Sequence, residues 1–191
     1  MAKNPLNTAL MSTALLITSL IPSAVAVAGE PKGEEHPAPP KAVTATDHYV
    51  ESWVRLPSLS ATKLGGEHEP VTIESSKGRL LVIVFLASWC EPCQQLMPEI
   101  QRLERHYQKL NTDFVYIFSH DTRDDAQGFM KEFNLSNAYL ANQELLKTYH
   151  EPELPSIYVG DRHGWMLQRY IKTAATDLAK LNRLLLHLAA Y

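Results

Sequence analysis

The stretch that decides the fold is Leu80-Leu81-Val82-Ile83-Val84-Phe85-Leu86-Ala87-Ser88-Trp89-Cys90-Glu91-Pro92-Cys93. Its first seven residues are all apolar, which is typical of a central strand that is buried on both faces. Beyond Cys93, apolar residues recur at helical spacing and Pro98 is expected to kink the helix. These apolar residues are Leu96, Ile100, Leu103, Tyr107 and Leu110. Two cysteines three positions apart are thus predicted to lie where a strand meets a helix.

This spacing brings both sulfurs within disulfide reach in the first helical turn. Cys90 comes first, where unpaired backbone N–H groups and the helix dipole stabilise a thiolate and lower the thiol pKa below about 8.5. We therefore predict that Cys90 is the exposed attacking nucleophile and that Cys93 is the resolving thiol. Pro92 removes one N–H and Glu91 adds a negative charge, so both disfavour the thiolate and move the pair towards the reducing end of its range.

Two other uses of the cysteine pair are less favoured. A structural disulfide would close a very short loop, so its contribution to stability would be small. A zinc site needs two further ligands, but the chain has no third cysteine and its eight histidines show no helix-face or finger spacing. We therefore expect a redox-active disulfide, with no metal and no other cofactor.

The rest of the chain alternates predicted strands and helices. The predicted strands are 49–56, 71–73, 113–119, 156–159 and 165–171, the last two forming a hairpin, with turns at Gly65-Gly66 and at 75–78. The predicted helices are 124–133, a short helix from a cap at Asn142 to Tyr149, and a last helix capped by Thr176 that buries Leu178, Leu181, Leu185 and Leu188. This order predicts an α/β domain with a mixed central sheet flanked by helices.

The N-terminal segment has the layout of a secretory signal. Lys3 precedes an apolar stretch at 9–28 that ends in small residues with an Ala-x-Ala pattern. An uncleaved anchor is the alternative, since the stretch is close to the ~20 residues that a spanning helix needs. We predict a signal peptide or anchor at 1–28, a Pro-rich linker at 29–47 and the folded domain at 48–191. Both alternatives place the domain outside the cytoplasm, and the periplasm is the expected compartment.

Length and charge limit the classes of partner. The 191 residues, 45% of them apolar, suffice for one domain with a sizeable core. The charge is nearly balanced, with 18 Lys and Arg against 21 Asp and Glu, and no basic block occurs. We therefore expect no nucleic-acid partner. A monomer is expected. An isomerase would normally need a dimerisation domain, and no segment here supplies one.

From residue 51 to residue 188 the sequence resembles thioredoxin-like proteins of the TlpA/ResA type, the bacterial extracytoplasmic thiol–disulfide oxidoreductases. The resemblance rests on the apolar strand leading into Ala87-Ser88-Trp89-Cys90-Glu91-Pro92-Cys93, on Pro98, and on Leu154-Pro155-Ser156-Ile157-Tyr158-Val159. It implies a thioredoxin-like fold with an N-terminal β extension and a central insert at about 119–150. It also implies that Pro155 is cis and that the backbone of Leu154 pairs with an extended client. An ordinary trans proline at the start of a strand is the alternative.

The sequence departs from this family at three positions. Val84 stands where thioredoxin has a buried Asp, and Leu96 stands where ResA-like proteins have a Glu. Without either carboxylate, deprotonation of Cys93 is predicted to be slow. Lys172 stands where relatives usually have a Gly near the client groove.

The resemblance implies a reductase of exported client disulfides, with clients such as apocytochromes c or copper-site proteins and a membrane electron donor. An oxidase or isomerase, and a copper-binding metallochaperone, are the alternatives, although the chain lacks Met-rich and His-rich tracts. His120 is a candidate proton carrier or copper ligand, with a solvated loop histidine as the simpler interpretation. Trp89 is predicted to pack beside the disulfide and contact clients, or to lie in the core, and the two roles are compatible.

Overall fold

The computed structural model describes residues 54–66, 70–74 and 78–190. The strands are β1 (Leu59–Lys63), β2 (Pro70–Ile73), β3 (Leu80–Leu86), β4 (Thr112–Phe118), β5 (Ala138–Ala141), β6 (Ser156–Gly160) and β7 (Met166–Tyr170). The helices are α1 (Glu91–Tyr107), α2 (Arg123–Glu132), α3 (Gln143–Thr148) and α4 (Ala175–Ala189), with a 3-10 turn at Gln108–Leu110. Within these described ranges, no helix is both long and apolar enough to cross a bilayer. The predicted segments 1–28 and 29–47 lie outside the described residues.

The strands form one mixed sheet in the order β2-β1-β5-β4-β3-β6-β7. The apolar strand β3 lies near its centre and is buried along its whole length. It pairs in parallel with β4 and antiparallel with β6. The prediction of an α/β domain with a mixed sheet is therefore confirmed.

Side chains of β3 alternate between two hydrophobic clusters, as the two-residue period of a strand requires. Val82, Val84 and Leu86 belong to the larger cluster, which includes buried residues of α1, α2 and α4. Leu81, Ile83 and Phe85 belong to the second cluster, with residues of α3. Helices thus cover both faces of the central strand.

The additions to the central unit lie where the resemblance implied them. Strands β1 and β2 pair antiparallel with each other, and β1 pairs antiparallel with β5. They form the N-terminal β extension. The central insert is α2, β5 and α3, and β5 joins the sheet in parallel beside β4.

The predicted strand at 49–56 is wrong where it can be checked. Residues 49–53 are outside the described part, and Arg55 forms only an isolated bridge with Trp165. Among the described residues, the first strand begins at Leu59, after Pro57, which has no N–H to donate to a strand. Leu59 and Ala61 are buried while Ser60 is exposed, so the alternation that marks a half-buried strand begins there.

Two further differences concern helix caps and β5. The predicted cap at Thr176 is wrong, because α4 begins at Ala175 and its N-cap is Ala174. The carboxylate of Asp177 accepts a hydrogen bond from the Ala174 N–H, so an acid inside the helix satisfies this group. The predicted cap at Asn142 is confirmed. Strand β5 was not predicted, because its four residues are too few to show a period.

Candidate active site

A turn joins β3 to α1 and holds the first cysteine. The Cys90 N–H donates to the carbonyl of Ala87 at 3.1 Å, and α1 begins at the next residue, Glu91. Cys90 is therefore the N-cap of α1. It is disulfide-bonded to Cys93, with 5.2 Å between their Cα atoms. The two sulfurs lie at the first turn of the helix, as the spacing predicts.

The sulfur of Cys90 occupies the place of a capping oxygen. Its Sγ accepts a hydrogen bond from the Cys93 N–H at 3.2 Å, one of the N–H groups that a helix leaves unpaired at its start. Pro92 lies in the same first turn and supplies no N–H. The Glu91 side chain is exposed and accepts a hydrogen bond from Gln95. The local electrostatics therefore combine a stabilising N–H with a nearby negative charge.

The exposed fractions of Cys90 and Trp89 correct the prediction for Cys90 and decide between the two for Trp89. Cys90 is only 4% exposed, against 1% for Cys93, so the prediction of an exposed Cys90 is wrong for the disulfide-bonded protein. The reason is that Cys90 packs within the larger hydrophobic cluster. Trp89 is 63% exposed, so it is a surface side chain and not part of the core.

The Leu154–Pro155 peptide bond is cis, as the resemblance implied. Phe85 is opposite Ser156 in the ladder between β3 and β6, so the same register places Pro155 opposite Leu86, close to the start of the motif turn. Pro155 is buried, whereas Leu154 is half-buried. The carbonyl of Pro155 accepts a hydrogen bond from the Thr173 N–H at 2.7 Å, which ties this loop to the turn after β7.

The loop between β4 and α2 also reaches the motif. The indole N–H of Trp89 donates to the carbonyl of His120 at 3.1 Å. The carboxylate of Asp121 accepts two hydrogen bonds from Ser88. The His120 side chain is exposed, so the loop contacts the motif through its backbone and through Asp121. Asp121 was not predicted as a site residue, because its contact with Ser88 spans 33 positions of the sequence.

The two positions that lack the family's carboxylates are apolar in the structure as well. Val84 is fully buried in the sheet, and Leu96 is half-buried and packs against the larger cluster. No group of three or more His, Cys, Asp or Glu side chains among residues 54–66, 70–74 and 78–190 is placed to hold a metal ion.

One buried acid does lie on α1, but at its far end. Glu104 is 8% exposed, and its carboxylate accepts a hydrogen bond from the Tyr116 hydroxyl at 2.6 Å. Burial raises the pKa of Glu104, although the Tyr116 hydrogen bond and Arg105 oppose this effect. Glu104 is eleven residues from Cys93, which corresponds to roughly 16 Å along a helix. It is therefore too far away to take a proton from the Cys93 thiol.

Lys172 lies beside the cis-proline loop. Its backbone has φ of 51°, in the left-handed region that glycine adopts readily, which explains why a glycine suits this position. Its ammonium group lies 2.5 Å from the carboxylate of Glu153, and both side chains are exposed. Glu153 directly precedes Leu154, so this ion pair borders the expected client groove.

Comparison with known proteins agrees with this geometry. The Redoxin family model matches residues 53–157. The chain belongs to the Redoxin family. The chain is 25% identical to the thiol-disulfide oxidoreductase ResA of Bacillus thuringiensis over 124 residues, which are 64% of this chain and 70% of that protein. It is 23% identical to the thioredoxin-like protein YneN of Bacillus subtilis, covering 65% of this chain and 74% of that one.

Solved structures show the same fold. A thiol:disulfide interchange protein of the thioredoxin family from Chlorobium tepidum superposes with a TM-score of 0.62 at 20% identity, over 72% of this chain and 97% of that one. A thiol-disulfide oxidoreductase from Bacteroides fragilis gives 0.57 at 26% identity, over 69% and 99%. The Redoxin protein described here therefore has a thioredoxin-like fold. With its Cys90–Cys93 disulfide, it is a thiol–disulfide oxidoreductase.

Proposed function

We propose that this oxidoreductase works outside the cytoplasm as a reductase of disulfides in exported proteins, with Cys90 as the attacking thiol and Cys93 as the resolving thiol. The observation that carries the assignment of the two thiols is the hydrogen bond from the Cys93 N–H to the Cys90 sulfur. A helix N-terminus stabilises a thiolate at the sulfur it caps, and the thiolate is the nucleophile in disulfide exchange. Only Cys90 occupies that position.

The reaction proceeds in two exchanges. The Cys90 thiolate attacks one sulfur of a client disulfide, forming a mixed disulfide, and the other client sulfur leaves as a thiolate and takes a proton from water. Cys93 then loses its proton and attacks the sulfur of Cys90. This step forms the Cys90–Cys93 disulfide and releases the second client thiolate. Two electrons pass to the client, and a membrane electron donor of thiol–disulfide exchange type restores the reduced pair.

The surface around the disulfide is suited to an extended client segment. Trp89, next to Cys90 in the chain, is exposed, and the half-buried Leu154 precedes the cis-proline. Aromatic side chains contribute large contact areas at interfaces. We propose that a client strand pairs with the backbone of Leu154 while Trp89 contacts its side chains. Apocytochromes c and copper-site proteins are the client classes we favour.

The direction of electron flow is tested by the equilibrium reduction potential of the cysteine pair. Because Pro92 supplies no N–H and Glu91 carries a negative charge, we expect weak thiolate stabilisation and a potential of about −200 to −270 mV, the range of glutaredoxins and thioredoxin. Equilibration in glutathione or dithiothreitol buffers, followed by intrinsic fluorescence, measures it. A potential near the DsbA value of about −120 mV would show that the protein is an oxidase.

The roles of the two thiols are tested by trapping. In the reduced protein we expect Cys90 to be alkylated much faster than Cys93, because only Cys90 caps the helix. Mass spectrometry after a short pulse of iodoacetamide locates the modified thiol. Equal labelling, or faster labelling of Cys93, would contradict the assignment.

The proposed compartment is tested by determining the residue at which the mature chain begins. We propose that residues 1–28 are a cleaved signal peptide, so that the mature chain begins near Gly29 in the periplasm. Intact mass of the protein recovered from a periplasmic extract measures the start directly. A chain retained in the membrane with residues 1–28 attached would replace this proposal with an anchored enzyme.

A further inference from the structure

The turn that carries Cys90 is held by a side chain from a different loop. One carboxylate oxygen of Asp121 accepts the backbone N–H of Ser88 at 2.6 Å, and the other accepts the Ser88 hydroxyl at 2.8 Å. Ser88 lies two residues before Cys90. Hydrogen bonds to a charged acceptor are stronger than those between neutral groups. Asp121 therefore binds both polar donors of a single residue in the turn.

Other contacts fix the remaining parts of the same turn. The Ser88 carbonyl accepts a hydrogen bond from the Gln94 side chain at 2.8 Å, and the Trp89 indole donates to the His120 carbonyl at 3.1 Å. The turn is thus linked to α1 through Gln94 and to the β4–α2 loop through His120 and Asp121. Only Asp121 contributes an ionic side chain to these contacts.

The loop that presents Asp121 is itself held at both ends. The Ser119 N–H donates to the Leu86 carbonyl at 2.8 Å, which extends the pairing of β3 and β4 beyond their ends. His120 then adopts a φ of 52°, in the left-handed region, directly before Asp121. Thr122 follows as the N-cap of α2. Asp121 lies between a strand and a helix, so its position is defined by regular structure on either side.

This attachment matters most after the disulfide is reduced. In the oxidised protein the bond to Cys93 fixes the sulfur of Cys90 at the helix start. Reduction breaks that bond, and the position of the Cys90 thiolate then depends on the hydrogen bonds of the turn. A displacement of about 1 Å at a reacting atom can cost 10²-fold in rate.

We propose that Asp121 is a positioning residue, which acts through Ser88 to keep the Cys90 thiolate at the N-terminus of α1 in the reduced enzyme. The proposal rests on the proposed role of Cys90 as the attacking thiol. It assigns a function in the exchange reaction to a carboxylate outside the Cys-x-x-Cys motif.

The test is the pH–rate profile of the first attack, measured with a neutral aromatic disulfide, dipyridyl disulfide, in a full-length Cys93→Ala background. In this background only Cys90 reacts, and released pyridinethione reports the rate. The plateau at high pH gives the reactivity of the fully ionised thiolate and does not depend on the fraction ionised, although the nucleophilicity of a thiolate falls as its pKa falls. We expect Asp121→Asn to lower this plateau about tenfold or more, because the amide cannot accept both donors of Ser88.

The matched control is Asp124→Asn, which removes the same charge from an exposed position three residues away and is expected to leave the plateau unchanged. Ser88→Ala removes only the hydroxyl partner, so a smaller decrease is expected. Because Asp121 acts through Ser88, the double variant is expected to be no slower than Asp121→Asn alone. Ser88→Ala also provides the measurement if Asp121→Asn does not fold.

Three results would overturn the proposal. A plateau that is unchanged, or that falls only as far as the lowered pKa reduces the nucleophilicity of the thiolate, would show that Asp121 acts by its charge alone. Additive effects of Asp121→Asn and Ser88→Ala would show that the two residues act separately. A plateau lowered equally by Asp124→Asn would assign the effect to charge at the surface. A Cys90→Ala protein that reacts faster than Cys93→Ala would instead refute the role of Cys90 and leave the contact between Asp121 and Ser88 unaffected.

Discussion

Replacing Leu96 with glutamate restores the acid that ResA-like relatives have near the resolving thiol. Leu96 follows Cys93 by three residues on α1, so the two Cβ atoms are about 5–6 Å apart on one helix face. From that distance a carboxylate can reach the Cys93 sulfur directly or through one water. General-base assistance typically contributes about 10²-fold or more. We therefore expect Leu96→Glu to shorten the lifetime of the mixed disulfide on Cys90 about 10²-fold at neutral pH.

The same substitution is expected to lower stability. Leu96 is half-buried against the larger cluster, and burying a whole leucine side chain is worth about 1.5–3 kcal/mol. Half of that amount, together with partial desolvation of the new carboxylate, predicts a loss of about 1–3 kcal/mol in the free energy of unfolding. Leu96→Gln is the matched control. Glutamine has the same shape as glutamate and loses the same apolar contacts, but it supplies no base.

The assay forms a mixed disulfide between Cys90 and a small thiol and follows its disappearance by quenched-flow mass spectrometry. If a carboxylate at position 96 acts as the base, resolution is fast in Leu96→Glu and slow in both the natural chain and Leu96→Gln. Equal rates in the glutamate and glutamine variants would refute this role of the carboxylate. A natural chain that already resolves as fast as Leu96→Glu would show that another group acts as the base, with His120 the first candidate to test.

Two further predictions concern stability. Burial raises the folded-state pKa of Glu104 above its unfolded value near 4.5, so its stabilising contribution is complete below that pH and is lost as pH rises through the folded pKa. Glu104→Gln is therefore expected to be more stable than the natural chain at neutral pH in urea unfolding, and a less stable variant would contradict this. At Lys172, where φ is 51°, glycine is expected to be about 1 kcal/mol more stable than alanine. Both variants lose the ion pair with Glu153, so the comparison isolates the backbone, and an alanine variant as stable as glycine would contradict the reasoning.

The central part of the fold could be predicted from sequence because its signals are local and strong. The seven consecutive apolar residues of β3 are buried in full, and the spacing of Ile100, Leu103 and Tyr107 matches the buried face of α1. The predictions that failed concern a strand too short to show a period and a helix cap that more than one residue can form. The four residues of β5 carry no readable period. Thr176 has a suitable hydroxyl for a cap, but Asp177 satisfies the N–H of Ala174 from inside the helix.

Only those residues of the candidate site that lie in sequence motifs could be predicted. Cys90, Cys93 and Pro155 lie in recognisable runs of sequence, and the disulfide and the cis bond are where those runs imply. The contact of Asp121 with Ser88 joins residues 33 positions apart, and no local sequence pattern predicts such a contact. The burial of Cys90 was missed for a similar reason, because exposure depends on what the rest of the fold packs around the helix start.

Within the described residues, few groups are placed to accept the proton of the Cys93 thiol. Cys93 is 1% exposed, Val84 and Leu96 are apolar, and Glu104 lies roughly 16 Å further along the helix. Burial disfavours the thiolate, so deprotonation by water or hydroxide is expected to limit the resolving step. The rate of resolution in the natural chain is therefore expected to rise about tenfold for each pH unit below the pKa of the Cys93 thiol. A rate that stays constant from about pH 6 to about pH 8 would require a base of ordinary pKa in contact with Cys93. In Leu96→Glu the same profile is expected to flatten above the pKa of the new carboxyl, which identifies the base by its titration as well as by its speed.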